Sequence, residues 1–290
     1  DFTYHPDFAP VEVDEQQVNL TRCSLQLPEK REFFLEGRGI FSFANFPTTG
    51  SGGNGGGGGG STSTVPLLFY SRRIGLNSGR VIPINAGGRV TGKVGKFSIG
   101  LLDIGTGEES ASKTPSTNFS VVRVKRDILR RSAIGAMFTG RSQSASKAGE
   151  SNQAYGVDGV FNFFGDLTAG GFYAKSHTDG IVGDEASYQA KAEWAPDLYG
   201  FQVERVKVGD AFNPEVGFLR RRAFERSFVE GRYSPRPKNI KGIRQITFTG
   251  SVEYIEGSVT KQKESKQQTG RINVERENSD QFSFEAGTNY

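Results

Sequence analysis

Ala186-Ser187-Tyr188-Gln189-Ala190-Lys191-Ala192-Glu193-Trp194 alternates apolar and polar residues without an error, and Ile246-Thr247-Phe248-Thr249-Gly250-Ser251-Val252-Glu253-Tyr254 does the same sixty residues later. A period of two is that of a β-strand with one greasy and one wet face. Each run has an aromatic at or near its end and matches the roughly 9–11 tilted residues with which a strand crosses a bilayer. The expected fold is therefore all-β: an antiparallel transmembrane β-barrel of the outer-membrane kind, with an irregular N-terminal segment, and one that this stretch of chain need not complete.

Composition agrees with that expectation. Only 35% of the 290 residues are apolar, and the mean hydropathy is −0.47, which is lean for a soluble core of this size. A barrel tolerates it because only alternate strand residues face lipid. The 39 glycines, 23 phenylalanines and nine tyrosines suit many strands, tight turns and interfacial rings. No apolar run reaches the roughly 18 residues of a transmembrane helix. The single Cys23 excludes an internal disulfide and a multi-cysteine metal site, and His5 and His177 are the only histidines, so neither a metal nor a cofactor is expected. A net charge of +4 spread along the chain reads as solvated lumen and loop faces, with no nucleic-acid partner. The acidic start, with Asp1, Asp7, Glu12, Asp14 and Glu15, lacks EF-hand spacing and reads as solvated carboxylates.

The chain divides at about residue 64. Residues 1–64 are expected to form an extended, plug-like entry segment ending in the Gly52–Gly60 tract, whose chain entropy predicts a mobile loop. Residues 65–290 carry the candidate strands 66–73, 80–92, 94–104, 117–127, 132–141, 153–164, 166–177, 185–195, 199–209, 222–234, 243–255, 267–278 and 280–290. Tight turns at 165–166 and 196–198 contrast with longer polar connections at 105–116, 142–151 and 178–184, the asymmetry of short periplasmic turns and long outer loops. An arginine facing lipid at mid-bilayer costs about 2–4 kcal/mol, so Arg123 and the run Arg220-Arg221-Arg222 must face the lumen, an interface or a loop.

Chemical motifs are few. Gly87-Gly88-Arg89-Val90-Thr91-Gly92-Lys93 fits GxxxxGK, but Val94 stands where a P-loop needs a hydroxyl for Mg²⁺, and the stretch reads as strand. Gly37-Arg38-Gly39 and Gly105-Thr106-Gly107 lack the third glycine of a dinucleotide fingerprint. No GxSxG, HExxH or CxxC occurs. His177 with Asp179 and Asp184 reads as an ordinary polar loop. Pro28-Glu29-Lys30-Arg31-Glu32-Phe33-Phe34-Leu35-Glu36-Gly37 mixes charge and aromatics most densely. Inside a barrel, Glu29, Arg31, Glu36 and Arg38 would need partners, so an ion-pair network anchoring a plug is expected there.

Several stretches together resemble an uncharacterised family of bacterial outer-membrane β-barrels whose members commonly carry the barrel after a module similar to family 9 carbohydrate-binding domains. They are Asp7-Phe8-Ala9-Pro10-Val11-Glu12-Val13-Asp14, Val18-Asn19-Leu20-Thr21-Arg22, Pro28-Glu29-Lys30-Arg31 with Phe33-Phe34-Leu35-Glu36-Gly37, Tyr70-Ser71-Arg72-Arg73-Ile74-Gly75, Val121-Val122-Arg123-Val124-Lys125-Arg126-Asp127, and Asn213-Pro214-Glu215-Val216-Gly217-Phe218. The resemblance implies a bacterial outer-membrane location, contact with outer-membrane lipid, a further N-terminal module of the same protein, and a barrel continuing past Tyr290, so that this chain would be a fragment. It brings no catalytic residue. Cys23 departs from the aromatic or aliphatic residue expected at its position.

The leading functional expectation is passage or handling of a polar solute, a glycan among the candidates, through a water-filled or partly plugged lumen. The residues expected to line the lumen or hold the plug are Glu29, Arg31, Glu36, Arg38, Arg72, Arg73, Arg123 and Lys125. Two rivals are a carbohydrate-active hydrolase on a β scaffold, which needs two carboxylates about 5–10 Å apart, and a structural subunit of a cell-envelope complex. No particular pair among the 32 acidic residues stands out.

Overall fold

The computed structural model describes residues 1–4, 26–44, 46, 65–77, 80–110 and 114–290. The Gly52–Gly60 tract, His5, Cys23 and the acidic residues from Asp7 to Glu15 lie outside the described residues. Within them the chain is strand almost throughout: β1 (Phe2–Tyr4), β2 (Leu76–Asn77), β3 (Arg80–Val81), β4 (Ile84–Val94), β5 (Phe97–Thr106), β6 (Thr117–Leu129), β7 (Ser132–Arg141), β8 (Asn152–Phe163), β9 (Leu167–Thr178), β10 (Ala186–Trp194), β11 (Tyr199–Val208), β12 (Phe224–Tyr233), β13 (Ile243–Gly257), β14 (Lys263–Arg276) and β15 (Gln281–Asn289). Helical structure among the described residues is one turn of α-helix, α1 (Glu32–Leu35), and a 3-10 turn at Ser71–Arg73. No described helix is long and apolar enough to cross a membrane.

Thirteen strands form one antiparallel sheet in the order β1-β4-β5 and onward to β15 without a crossover, while β2 and β3 pair separately. The sheet is not closed. β1 and β15 are its two edges. Consecutive hairpins of this kind need only short connections, and from β4 to β12 the connections sort by end, a trend that the nine-residue connection 234–242 after β12 and the five-residue one 258–262 after β13 reverse. The turns after β4, β6, β8 and β10 are tight, with Gly95 and Gly165 at positive φ. The segments after β5, β7, β9 and β11 are longer and gather at the opposite end, the longest running over 209–223.

Three details differ from the sequence reading. Residues 66–73 are not a sheet strand: Leu67 exchanges backbone hydrogen bonds with Phe218, and the chain then winds into the 3-10 turn. The expected strand 80–92 is broken at Ile82 and Pro83. Pro83 has no N–H to give a ladder, and Ile82 N–H donates to Gly75 O instead. Phe2–Tyr4, within the expected entry segment, pairs with β4.

In β10 and β13 the apolar residues of the alternation are the more exposed and the polar ones the more buried. In β10, Ser187, Gln189, Lys191 and Glu193 are buried, while Ala190 and Trp194 are exposed; Trp194 is 46% exposed and its neighbour Glu193 only 3%. In β13, Phe248, Gly250 and Val252 are more exposed than Thr247, Thr249, Ser251 and Glu253. Register carries this face across the sheet. Leu101, Val122, Phe138 and Tyr155 are successive partners from β5 to β8. Ala192, Val203, Val229 and Val252 continue it from β10 to β13, and Tyr199, Tyr233, Phe248, Ile272 and Phe284 run from β11 to β15. Tyr199, Tyr233 and Phe248 stack in sequence, with ring centroids 5.3 and 6.3 Å apart. The outer face thus carries an exposed apolar band with aromatics toward both ends, Trp194, Tyr199, Tyr233 and Phe248 toward the short turns and Tyr155, Tyr188 and Tyr254 toward the long loops.

Candidate functional site

The inner face has two halves. From β4 to β9 it is apolar and filled. Residues 26–44, Phe46, the stretch Val65–Gly75 and loop 209–223 lie against Ile84, Leu102, Ile104, Phe119, Val121, Met137, Ala154, Phe172 and Ala174, forming the buried cluster of the described residues.

The alternation Phe41-Ser42-Phe43 sends two rings to the same side, and the sheet accepts them where it has no side chain. A Cβ on Gly100 would lie 2.9 Å from Phe41, one on Gly156 2.9 Å from Phe43, and one on Gly170 2.7 Å from Phe46. Three glycines in β5, β8 and β9 are therefore seats for three phenylalanines of one segment. Phe43 also meets Phe172 edge to face at 5.5 Å.

Polar contacts fix this packing. Arg123, 1% exposed, makes a two-pronged ion pair with Asp158 at 2.6 and 2.9 Å, and Asp158 also accepts from Ala44 N–H at 3.1 Å. The guanidinium stands over the Phe43 ring. Gly135 leaves room for it, since a Cβ there would lie 2.6 Å from Arg123. Arg31 holds Glu29 through two bonds of 2.8 and 2.9 Å and donates to the carbonyls of Ile74 and Ser71. Burial pushes the Glu29 carboxyl up, but Arg31 and the Ser71 hydroxyl outweigh it and hold it below the ordinary carboxylate value. Arg72 donates to Pro28 O at 2.6 Å. Arg89, on the inward side of β4, donates to the carbonyls of Phe33 and Glu36 at the ends of α1 and pairs with the carboxylates of Glu36 and Asp1.

From β10 to β15 the inner face is polar. Arg226 bridges Glu204 at 2.8 Å and Glu253 at 2.6 Å, Lys191 pairs with Glu193 at 3.3 Å, and Arg271 with Glu285 at 2.6 Å. Thr247, Thr249, Ser251, Thr269 and Asn273 fill in between. Over the long-loop end, Glu215 of loop 209–223 accepts from Ser144 Oγ, Ala145 N–H and Ser146 N–H at 2.6–3.0 Å, tying that loop to loop 142–151.

Of the residues singled out in the sequence, Glu29, Arg31 and Arg72 come together as one network, with Glu36 nearby on Arg89. Arg123 belongs to the second anchor. Lys125 shares its face one position toward the short turns, Arg73 stands at the long-loop end, and Arg38 is exposed away from both. Sequence reasoning missed Arg89, Asp158 and Glu215. The strand period of β4 puts Arg89 on the face of Gly87, which was a usable signal. Asp158 and Glu215 find their partners across long sequence separations and carried none. The GxxxxGK stretch lies within β4 with no helix after it. His177, expected in a polar loop, is instead in β9 opposite Gln153, because the ladder with β8 runs on to Thr178; it is exposed, with Glu185 and Asp179 at 3.0 and 3.1 Å, while Asp184 pairs instead with Lys207. No described cluster of His, Cys, Asp and Glu could hold a metal ion.

Residues 1–47 match the family model of a domain of unknown function, DUF5916. The matched stretch contains β1, α1 and the segment with Phe41 and Phe43. No curated protein matches the chain.

Proposed function

We propose that this chain is the wall and internal plug of an outer-membrane β-barrel that takes part in the passage or handling of a polar solute, a glycan among the candidates. The observation that carries the reading is the inversion of the half of the sheet that begins at β10. A contiguous apolar band is exposed on one face while arginines, lysines and carboxylates are buried on the other, which suits a surface against hydrocarbon and a wet interior. An exposed band of this extent on a water-soluble protein would be an aggregation liability. The aromatics toward both ends of the band suit the two membrane interfaces. The resemblance to outer-membrane barrels that follow a carbohydrate-binding-like module supports the same location.

The polar half from β10 to β15 is the candidate solute wall. Its groups are guanidinium, ammonium, carboxylate, amide and hydroxyl, able to hydrogen-bond a hydrated solute. The filled half from β4 to β9 favours a second reading, a structural envelope subunit that conducts nothing. One experiment addresses both. The protein expressed in a diderm host should stay with outer membranes after alkaline extraction, and in planar bilayers, with the β1 and β15 edges paired so that the wall closes, it should give discrete conductance that rises when residues 26–46 are deleted. Retention without conductance in either form selects the structural subunit. Release into the soluble fraction ends both readings.

A further inference from the structure

Where the 3-10 turn meets the ends of β5, β6 and β7, a narrow cleft opens between Arg73 and Arg141, with Thr106, Thr117 and Phe119 on its walls. Arg141, the last residue of β7, lies over the Phe119 ring and is 14% exposed. Its Nε is buried and has no hydrogen-bond partner. The nearest carboxylate, Glu215, is 3.7 Å from Nη1, too far for a hydrogen bond, and is already engaged by Ser144, Ala145 and Ser146. Arg73, more exposed, spends Nε on Gly217 O at 3.2 Å. The Thr106 and Thr117 hydroxyls donate to backbone carbonyls, and Arg73 and Arg141 are the charged donors among the residues lining the cleft.

A buried donor without an acceptor is costly, and in native structures such a group marks a bound water or ion. A water would satisfy Nε. It would leave two guanidiniums sharing one carboxylate that other donors already occupy. An anion answers both deficits, and charge-assisted bonds to arginine are the strong ones. We propose that this cleft binds a small monovalent anion, chloride or the carboxylate end of a solute, between Arg73 and Arg141. The cleft is too narrow for a whole sugar or nucleotide. The site stands on the inner face at the long-loop end and does not depend on the outer face meeting lipid.

The test is thermal unfolding of the purified full chain in detergent micelles at constant ionic strength, with isethionate, a bulky sulfonate that carries no carboxylate, replaced stepwise by chloride or by acetate. The unfolding midpoint should rise and saturate with one or both. Arg141→Gln should abolish the rise, Arg73→Gln should raise the half-saturating concentration about tenfold or more, and Lys241→Gln, an exposed turn residue, should respond as wild type. A response to chloride alone assigns a halide, and one to acetate alone a solute carboxylate. Equal midpoints in all three salts, or a response kept in both arginine variants, would overturn the site in favour of water. Should Arg141→Gln fail to fold, an unchanged half-saturation in Arg73→Gln is sufficient to overturn it.

Discussion

Replacing Gly156 by alanine probes the packing of the N-terminal segment against the sheet with a single methyl group. The new Cβ would lie 2.9 Å from the Phe43 ring, 2.9 Å from the Ala174 Cβ and 2.9 Å from the Tyr173 carbonyl. Tyr173 O and Ala174 belong to β9, hydrogen-bonded on both sides, so β8 must shift away from them by a few tenths of an ångström toward the ring, which then has to leave its seat. Overpacking a filled interior costs about 1–3 kcal/mol, a factor of about 5–150 in the population of the docked segment. Gly170→Ala should act alike through Phe46, at 2.7 Å. Gly250→Ala, with nothing within 4 Å of its Cβ, is the control. Limited proteolysis within residues 26–46, read against the unfolding midpoint, measures the effect: the first two variants should be cut at least several-fold faster while the sheet stays folded. Gly156→Ala combined with Phe43→Leu should lose less than the sum of the single changes. Wild-type protection in both Gly156→Ala and Gly170→Ala would refute the seating of the phenylalanines.

Asp158→Ala should destabilise by about 3–5 kcal/mol in denaturant unfolding, because it leaves Arg123 buried without its counter-charge and strips Ala44 N–H of its acceptor. Val229→Arg places a charge in the middle of the apolar band and should cost about 2–4 kcal/mol in lipid vesicles, whereas Ser251→Arg on the inner face should cost far less; equal costs would argue against a lipid face. The Glu29 carboxyl titrates below its ordinary 4.5 in the folded chain, so its stabilisation is present above about pH 4.5 and is lost as pH falls through the depressed value. Proteolytic release of residues 26–44 should accordingly accelerate on acidification through that range, and Glu29→Gln should flatten the profile.

The sheet was legible because β10 and β13 alternate cleanly, and an inverted protein writes the same period two as a soluble one. The assignment of a wet face is a proposal that rests on the lengths and aromatic ends of those runs. Pro83 was a visible break, passed over because the hydrophobic pattern continues on both sides of it. The strand expected at 66–73 failed for another reason: its apolar residues are buried by loop 209–223, about 140 residues away, which no local pattern announces. The plug was half legible. Phe41-Ser42-Phe43 shows its spacing, but Gly100, Gly156 and Gly170 that receive Phe41, Phe43 and Phe46 are scattered over three strands and look like any other strand glycine. Glu29 and Arg31 declared a need for partners, and half of the answer lay between them; the Ser71 and Ile74 carbonyls emerged only with the three-dimensional packing.

The central claim is that the apolar face of this sheet meets hydrocarbon and the polar face does not. Single cysteines at each position from 247 to 253 in β13, on a Cys23→Ser background, labelled with an environment-sensitive fluorophore in vesicles carrying nitroxide-labelled lipid, test it most directly. Quenching should alternate with period two, strong at 248, 250 and 252 and weak at 247, 249, 251 and 253. Uniformly weak quenching, or alternation in the opposite phase, would contradict the account.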